Sequence, residues 1–291
     1  MSAAHESRVA CGEVTLVVVE EGQGTPVLAL HGFTGSSASM NGVAGALRDR
    51  HRVVRVDLVG HGRSDAPQDV AAYRIERCVA QLGSVLDALA IPRAHVLGYS
   101  MGGRVALALA ALLPERVASV LAIGARAGFE DPAERTERAR DDEALAARIE
   151  RDGVPAFVDQ WMALPLFATQ RRLGAAALAG ARAERLANRA HALAASLRAM
   201  GAGAQPPLHA LLAQRSMPML LLAGAEDARF AAIARDLAAR LPDACVALVP
   251  DAGHAAHLEN PDAFARIARS FFAAADASAA AGRFPQPETH A

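Results

Sequence analysis

The chemistry of this chain is most legible at Gly98-Tyr99-Ser100-Met101-Gly102, which stands directly after one apolar run and directly before an amphipathic one. A serine on a tight strand-to-helix turn is pushed into a cleft with its hydroxyl exposed, and the flanking positions must be small because a side chain there would clash. The first N–H groups of the following helix then point at negative charge developing beside Ser100. A hydroxyl alone is a weak nucleophile or base, so a histidine and a carboxylate are needed later in the chain. Leu220-Leu221-Leu222-Ala223-Gly224-Ala225-Glu226-Asp227 ends an apolar run with an acid, and Pro250-Asp251-Ala252-Gly253-His254 ends the next with an imidazole on a glycine turn. Ser100 is read as the activated hydroxyl and His254 as its proton acceptor. Asp227 fixes the imidazole tautomer and stabilises its cation, with Glu226 as the competing acid.

An anion hole is the remaining requirement. Leu30-His31-Gly32-Phe33-Thr34-Gly35 follows an early apolar run, and the backbone N–H groups of Phe33 and Met101 are the candidate donors. Each such donor is typically worth about 3 kcal/mol of transition-state stabilisation. The glycine turn from Asp57 to Ser64 is read as structural support. The sequence carries no GxGxxG, HExxH or GxxxxGK motif and no cluster with metal-ligand spacing.

The elements that must position these residues follow from periodicity. Short aliphatic runs at Thr15–Val19, Val27–His31, Val53–Leu58, Ala94–Gly98, Ala118–Gly124, Met219–Ala223 and Val246–Val249 read as buried parallel strands. Stretches at helical spacing lie at Ala71–Ala90, Met101–Leu113, Phe230–Leu241 and Pro261–Ala274, with Pro114 and Pro242 as stop signals. The alternation defines an α/β class with a mostly parallel central sheet flanked by helices. Between Phe129 and Arg215 it disappears into a stretch dense in Ala, Arg, Asp and Glu, read as a helical insertion between two strands. The tail from Asp276 to Ala291 has no periodicity and reads as frayed.

Composition removes several classes. The chain has 291 residues, 52% hydrophobic, with a formal net charge of -1, which fits one large domain or one domain with an insertion. All 30 basic residues are Arg and none is Lys, which excludes lysine Schiff bases, pyridoxal phosphate attachment and a Walker-type phosphate lysine. Near-neutral charge without a basic block argues against nucleic acid or an anionic membrane as partner. Cys11, Cys78 and Cys245 are far apart and odd in number, so a reduced cytoplasmic setting is the natural reading. Residues Met1–Ala10 hold no apolar leader segment, and the longest apolar runs fall short of a membrane span.

Taken together, HGFTG, VGHGRS, GYSMGG, the strand ending in Asp227 and GHAAHLENP resemble the α/β-hydrolase fold over roughly residues 13 to 275. The resemblance implies core halves at 1–128 and 217–275, with 129–216 as a helical cap inserted after the sixth strand and 276–291 as a disordered tail. Epoxide hydrolases and dehalogenases use an aspartate at the elbow, where this chain has Ser100, and its tyrosines, Tyr73 and Tyr99, lie outside the cap. Carbon–carbon hydrolases of ring-cleavage products usually carry Asn before the serine and Trp shortly after the histidine. Here those positions hold Tyr99 and His257, which makes that group a runner-up.

Five segments, HGFTGSS, GYSMGGR, ERTERARDDEALA, FVDQWMALPLFA and GHAAHLENP, are similar to the 2-succinyl-6-hydroxy-2,4-cyclohexadiene-1-carboxylate synthases of menaquinone biosynthesis, the MenH type. That family's substrate bears several carboxylates, which arginine forks match bidentately. Arg104, Arg138 and Arg185 align with its substrate-binding arginines, although Arg182 and Arg189 compete with Arg185 through helix register. Trp161 falls in the family's WxxxPLF pattern, and Tyr99 is placed either against substrate or beneath the elbow. Residues 129–215 hold twelve Arg against eleven Asp and Glu, so most of these arginines are expected in solvated ion pairs. The implied reaction is a lyase step on a small polycarboxylate, with the triad as base and no metal or organic cofactor. A serine hydrolase of esters or carbon–carbon bonds is the alternative, and a ligand-binding pseudoenzyme a third, opposed by the intact Ser, His and Asp set.

Overall fold

The computed structural model describes residues 4–280. The strands are β1 (His5–Cys11), β2 (Val14–Glu21), β3 (Thr25–Leu30), β4 (His51–Val56), β5 (Ala94–Tyr99), β6 (Val117–Ile123), β7 (Met219–Gly224) and β8 (Ala244–Val249). They form one sheet in the order β1-β2-β4-β3-β5-β6-β7-β8. The pairs β1·β2 and β2·β4 are antiparallel and the rest parallel. Strands such as Val27–Leu30 and Val120–Ile123 are continuously apolar because helices cover both faces of the sheet.

The helices are α1 (Asn41–Leu47), α2 (Ile75–Ala88), α3 (Met101–Leu112), α4 (Pro132–Met162), α5 (Ala175–Leu186), α6 (Ala190–Met200), α7 (His209–Leu212), α8 (Ala228–Ala238), α9 (Ala256–Glu259) and α10 (Pro261–Ala280). One buried cluster joins the sheet to α2 and α3, a second joins the opposite face to α1 and α10, and a third lies between α4 and α6. Helices α4 to α7 all fall between β6 and β7, and α4 is interrupted at Gly153 (φ 80°), two residues before Pro155. Among the described residues no helix is long and apolar enough to cross a membrane.

The structure corrects the sequence reading at several element ends. Strand β1 was not anticipated: its residues alternate, with Glu6, Arg8 and Ala10 exposed at a sheet edge, so it lacks the continuous apolar run of the buried strands. The expected helix at Ala71 begins instead with a 3-10 turn at Val70–Tyr73 and becomes α-helical only at Ile75, because Arg74 is extended (ψ 145°). Helix α8 starts two residues before Phe230 because the Asp227 side chain caps it by accepting the Phe230 N–H at 3.2 Å. Helix α10 continues through Asp276, so the expected tail starts too early. The Asp276 carboxylate lies 3.0 Å from His95 Nε2 and 3.4 Å from His51 Nε2, which pins this last helix beneath the sheet. Residues 281–291 lie outside the described residues.

Candidate active site

The parallel strands deliver their last residues to one edge of the sheet, where α/β proteins place their ligands. Ser100 follows β5 with φ 52° and ψ -106°, a strained conformation that lifts its hydroxyl out of the turn. Two glycines make that turn possible. A Cβ on Gly98 would stand 2.1 Å from the Gly102 carbonyl oxygen, and one on Gly102 would stand 2.3 Å from that of Leu30.

Ser100 Oγ lies 3.1 Å from His254 Nε2, and His254 Nδ1 lies 2.8 Å from Asp227 Oδ2. The carboxylate can only accept, so Nδ1 carries the hydrogen and Nε2 is left to receive the serine proton. His254 and Asp227 are buried. Glu226, the competing acid, is exposed and pairs with Arg172 at 2.8 Å, away from the imidazole.

Residues outside the sequence expectation hold this chain in place. Glu259 accepts the N–H of Gly253 at 2.8 Å and of Ala255 at 3.1 Å, bracketing His254. Its signal was present within GHAAHLENP. His31 is fully buried and kept neutral, its pKa lowered chiefly by burial. Because the Leu58 N–H donates to His31 Nε2 at 3.0 Å, Nδ1 bears the hydrogen and donates to the Gly32 carbonyl at 2.8 Å. That anchors the loop carrying Phe33. The turn is closed by Gly35 N–H donating to Gly32 O at 3.0 Å, a bond that leaves the Phe33 N–H out. Met101 is the first residue of α3, a position with no intrahelical acceptor for its N–H.

A cavity of about 530 Å³ opens above these groups, lined by Ser100, His254, Phe33 and Met101 on the sheet side and by α4 and α6 residues opposite. Trp161 lines it and stacks edge-on against Phe33 with ring centroids 5.5 Å apart, joining the helical segment to the loop after β3. Five arginines (Arg104, Arg126, Arg138, Arg148 and Arg229) reach the cavity, against the two aspartates Asp141 and Asp142. Arg138 Nε donates to the buried Asp142 at 2.8 Å, and Arg104 Nη1 donates to Gln205 Oε1 at 2.8 Å. Burial holds the Arg104 guanidinium below its ordinary value, at about 10. Arg126, Arg148 and Arg229 were not singled out from the sequence; Arg126 lies two residues beyond the last glycine of the β6 run, where a strand end faces the cleft.

Two expected positions do not line this cavity. Tyr99 points to the other side of β5, as strand alternation requires, and its ring lies under Gly32 with its centroid 4.6 Å from that of His257. Arg185, on the last turn of α5, donates Nη1 to the Ala181 carbonyl at 2.8 Å and lies near Tyr99. Its helix docks instead on the loop after β3, where Glu184 accepts from Ser36 Oγ at 2.5 Å. The register rivals are engaged elsewhere: Arg182 pairs with Asp159 and Arg189 donates to the Ser64 carbonyl. Among the described residues no group of three or more His, Cys, Asp or Glu is placed to hold a metal ion.

The model of the alpha/beta hydrolase fold matches residues 25–261, and the chain belongs to that family. Within it, the chain stands with the MenH-type 2-succinyl-6-hydroxy-2,4-cyclohexadiene-1-carboxylate synthases. It is 38% identical over 260 residues, 89% of this chain and 94% of the other, to a putative synthase of that name from Bacillus subtilis. It is 34% identical to the synthase of that name from Serratia proteamaculans, over 83% of this chain and 91% of that one. MenH from S. aureus superposes with a TM-score of 0.85 at 29% identity, covering 90% of this chain and 98% of that one.

Proposed function

We propose that this protein is a lyase that eliminates pyruvate from 2-succinyl-5-enolpyruvyl-6-hydroxy-3-cyclohexene-1-carboxylate to give 2-succinyl-6-hydroxy-2,4-cyclohexadiene-1-carboxylate. The observation that carries this reading is a Ser100–His254–Asp227 chain at the floor of a cavity lined by five arginines and only two aspartates. A simple ester needs no such excess of cations, whereas a substrate with three carboxylates does.

The bond changes follow from the two structures. The ring proton at C2 lies beside the succinyl ketone and is acidified by it. Ser100 Oγ, its own proton passed to His254, removes that proton. The electron pair forms the C2–C3 double bond, the existing ring alkene shifts to C4–C5, and the C5–O bond breaks. The enolpyruvyl group leaves as the enolate of pyruvate and is protonated. The Phe33 and Met101 N–H groups hold the oxygen on which charge develops, and Asp227 stabilises the imidazolium. Residues 129–216 act as a cap that presents Trp161 and Arg138 to the substrate, over a core formed by 4–128 and 217–280. A biosynthetic step on a free polycarboxylate places the protein in the cytoplasm.

A coupled assay for pyruvate release tests the proposal with wild type, Ser100→Ala and Arg138→Ala. Turnover by wild type that falls by roughly two orders of magnitude or more in both variants is expected, since one loses the base and the other a charge-assisted contact. The same serine, histidine and anion hole would also serve an ester hydrolase. Absence of pyruvate release by a folded wild type, with p-nitrophenyl ester cleavage still dependent on Ser100, would favour that second reading.

A further inference from the structure

The five cavity arginines are not equivalent. Arg104 is engaged with Gln205, Arg138 with Asp142, and Arg148 donates to Gln160 at 3.3 Å. Arg126 differs. Its Nε is shut off from solvent and has no hydrogen-bond partner among the described residues. Yet the side chain is well placed: its Cζ stands 3.6 Å from the centroid of the Phe129 ring, and the residue leaves the sheet just after β6.

The charge around Arg126 is also unbalanced. Burial and the nearby cations Arg229 and Arg138 all disfavour its charged form, with Glu134 alone opposing them. Arg126 further lies at the wall between the Ser100 cavity and a second one of about 380 Å³, whose far side carries Glu130, Asp131, Glu134 and Asp236. Those acids repel an anion, so a carboxylate reaches Arg126 from the Ser100 side. The guanidinium is held on the Phe129 ring at the wall of a cavity rich in cations, and its planar fork matches a carboxylate entering there.

We propose that Arg126 is a specificity-determining residue of this chain, binding a non-reacting carboxylate of the substrate through its guanidinium fork and so favouring polycarboxylates over singly charged compounds. The inference rests on the lyase reading above and adds a residue to it. The probe is propane-1,2,3-tricarboxylate, and the reporter is Trp161, the single tryptophan, which lines the same cavity.

Saturable change of Trp161 fluorescence on titrating wild type with the tricarboxylate is expected, with Kd raised about tenfold or more in Arg126→Met, the loss expected for a charge-assisted contact. Methionine keeps an apolar side chain against Phe129. In the pyruvate-release assay the loss falls on KM more than on kcat, and Arg126→Lys, which keeps charge without the fork, recovers only part of it. Equal Kd and KM in wild type and Arg126→Met would overturn the inference while leaving the lyase reading intact. If Arg126→Met does not fold, a wild-type KM in Arg126→Lys would overturn the role of the fork. A wild type that releases no pyruvate overturns both.

Discussion

Glu259 accepts backbone N–H groups from the residues on either side of His254, so its carboxylate holds the loop while Asp227 holds the ring. Glu259→Ala leaves two buried donors unmatched and lets the imidazole drift from Ser100. We expect kcat to fall about tenfold or more with little change in KM, plus a loss of stability of about 1–3 kcal/mol; an unchanged kcat in steady-state assays would sink the positioning role. At this scale the sequence was most informative where chemistry coincides with a glycine turn. Ser100 and His254 each sit on one, and Asp227 closes a strand, so type and context agree. Arg126 and Arg229 carry no such mark, because a lone arginine after a strand or at a helix start looks the same whether it faces a cavity or water. Tyr99 and Arg185 show the converse: adjacency to a motif does not decide which way a side chain points.

Helices α4 and α6 are locked together by Asp142. Its Oδ1 takes Arg138 and its Oδ2 accepts the N–H of Gly203, in the turn after α6, at 3.1 Å. The carboxylate is buried, so Asp142→Ala strands the Gly203 N–H and frees Arg138 from its fixed orientation. Urea unfolding should then show a loss of about 1–3 kcal/mol, and the substrate KM should rise. Unaltered stability would mean that the turn finds another acceptor. The strands flanking the site were legible because burial on both faces makes them continuously apolar. The insertion was legible only as helical. Its alanines form helices readily but mark no face, and the break at Gly153 and the division between α5 and α6 depend on packing rather than on composition. Of its twelve arginines, five (Arg138, Arg151, Arg172, Arg182 and Arg198) form ion pairs among the described residues, fewer than expected, and others such as Arg171 and Arg189 donate to backbone carbonyls instead.

The whole molecule buries three neutral imidazoles around the site: His31, His61 and His257. Burial is the main cause for each, and it brings His61 and His257 down to about 3 from an ordinary 6.5. Folded-state values below the unfolded ones mean that the unfolded chain binds more protons in acid. For His61 and His257 the contribution to stability is therefore complete above pH 6.5 and is lost as the pH falls toward 3, by about 1.4 kcal/mol per pH unit for each, and His31 acts in the same direction. Both ring nitrogens of His257 lack hydrogen-bond partners among the described residues, so His257→Leu tests the idea at small structural cost. Unfolding free energies measured between pH 6 and pH 4.5, expressed per pH unit, should show a shallower acid slope in the variant. An identical slope would remove His257 from the account.

The contact of Asp276 with His95 and His51 has a practical corollary. Those histidines open β5 and β4, and Ser100 stands beyond the other end of β5. The described chain therefore finishes on the side of the sheet away from the cavity. A surface tether attached at the exposed end of α10, at Ala277 or Ala279, leaves the mouth of the site facing outward, which suits the protein to oriented immobilisation.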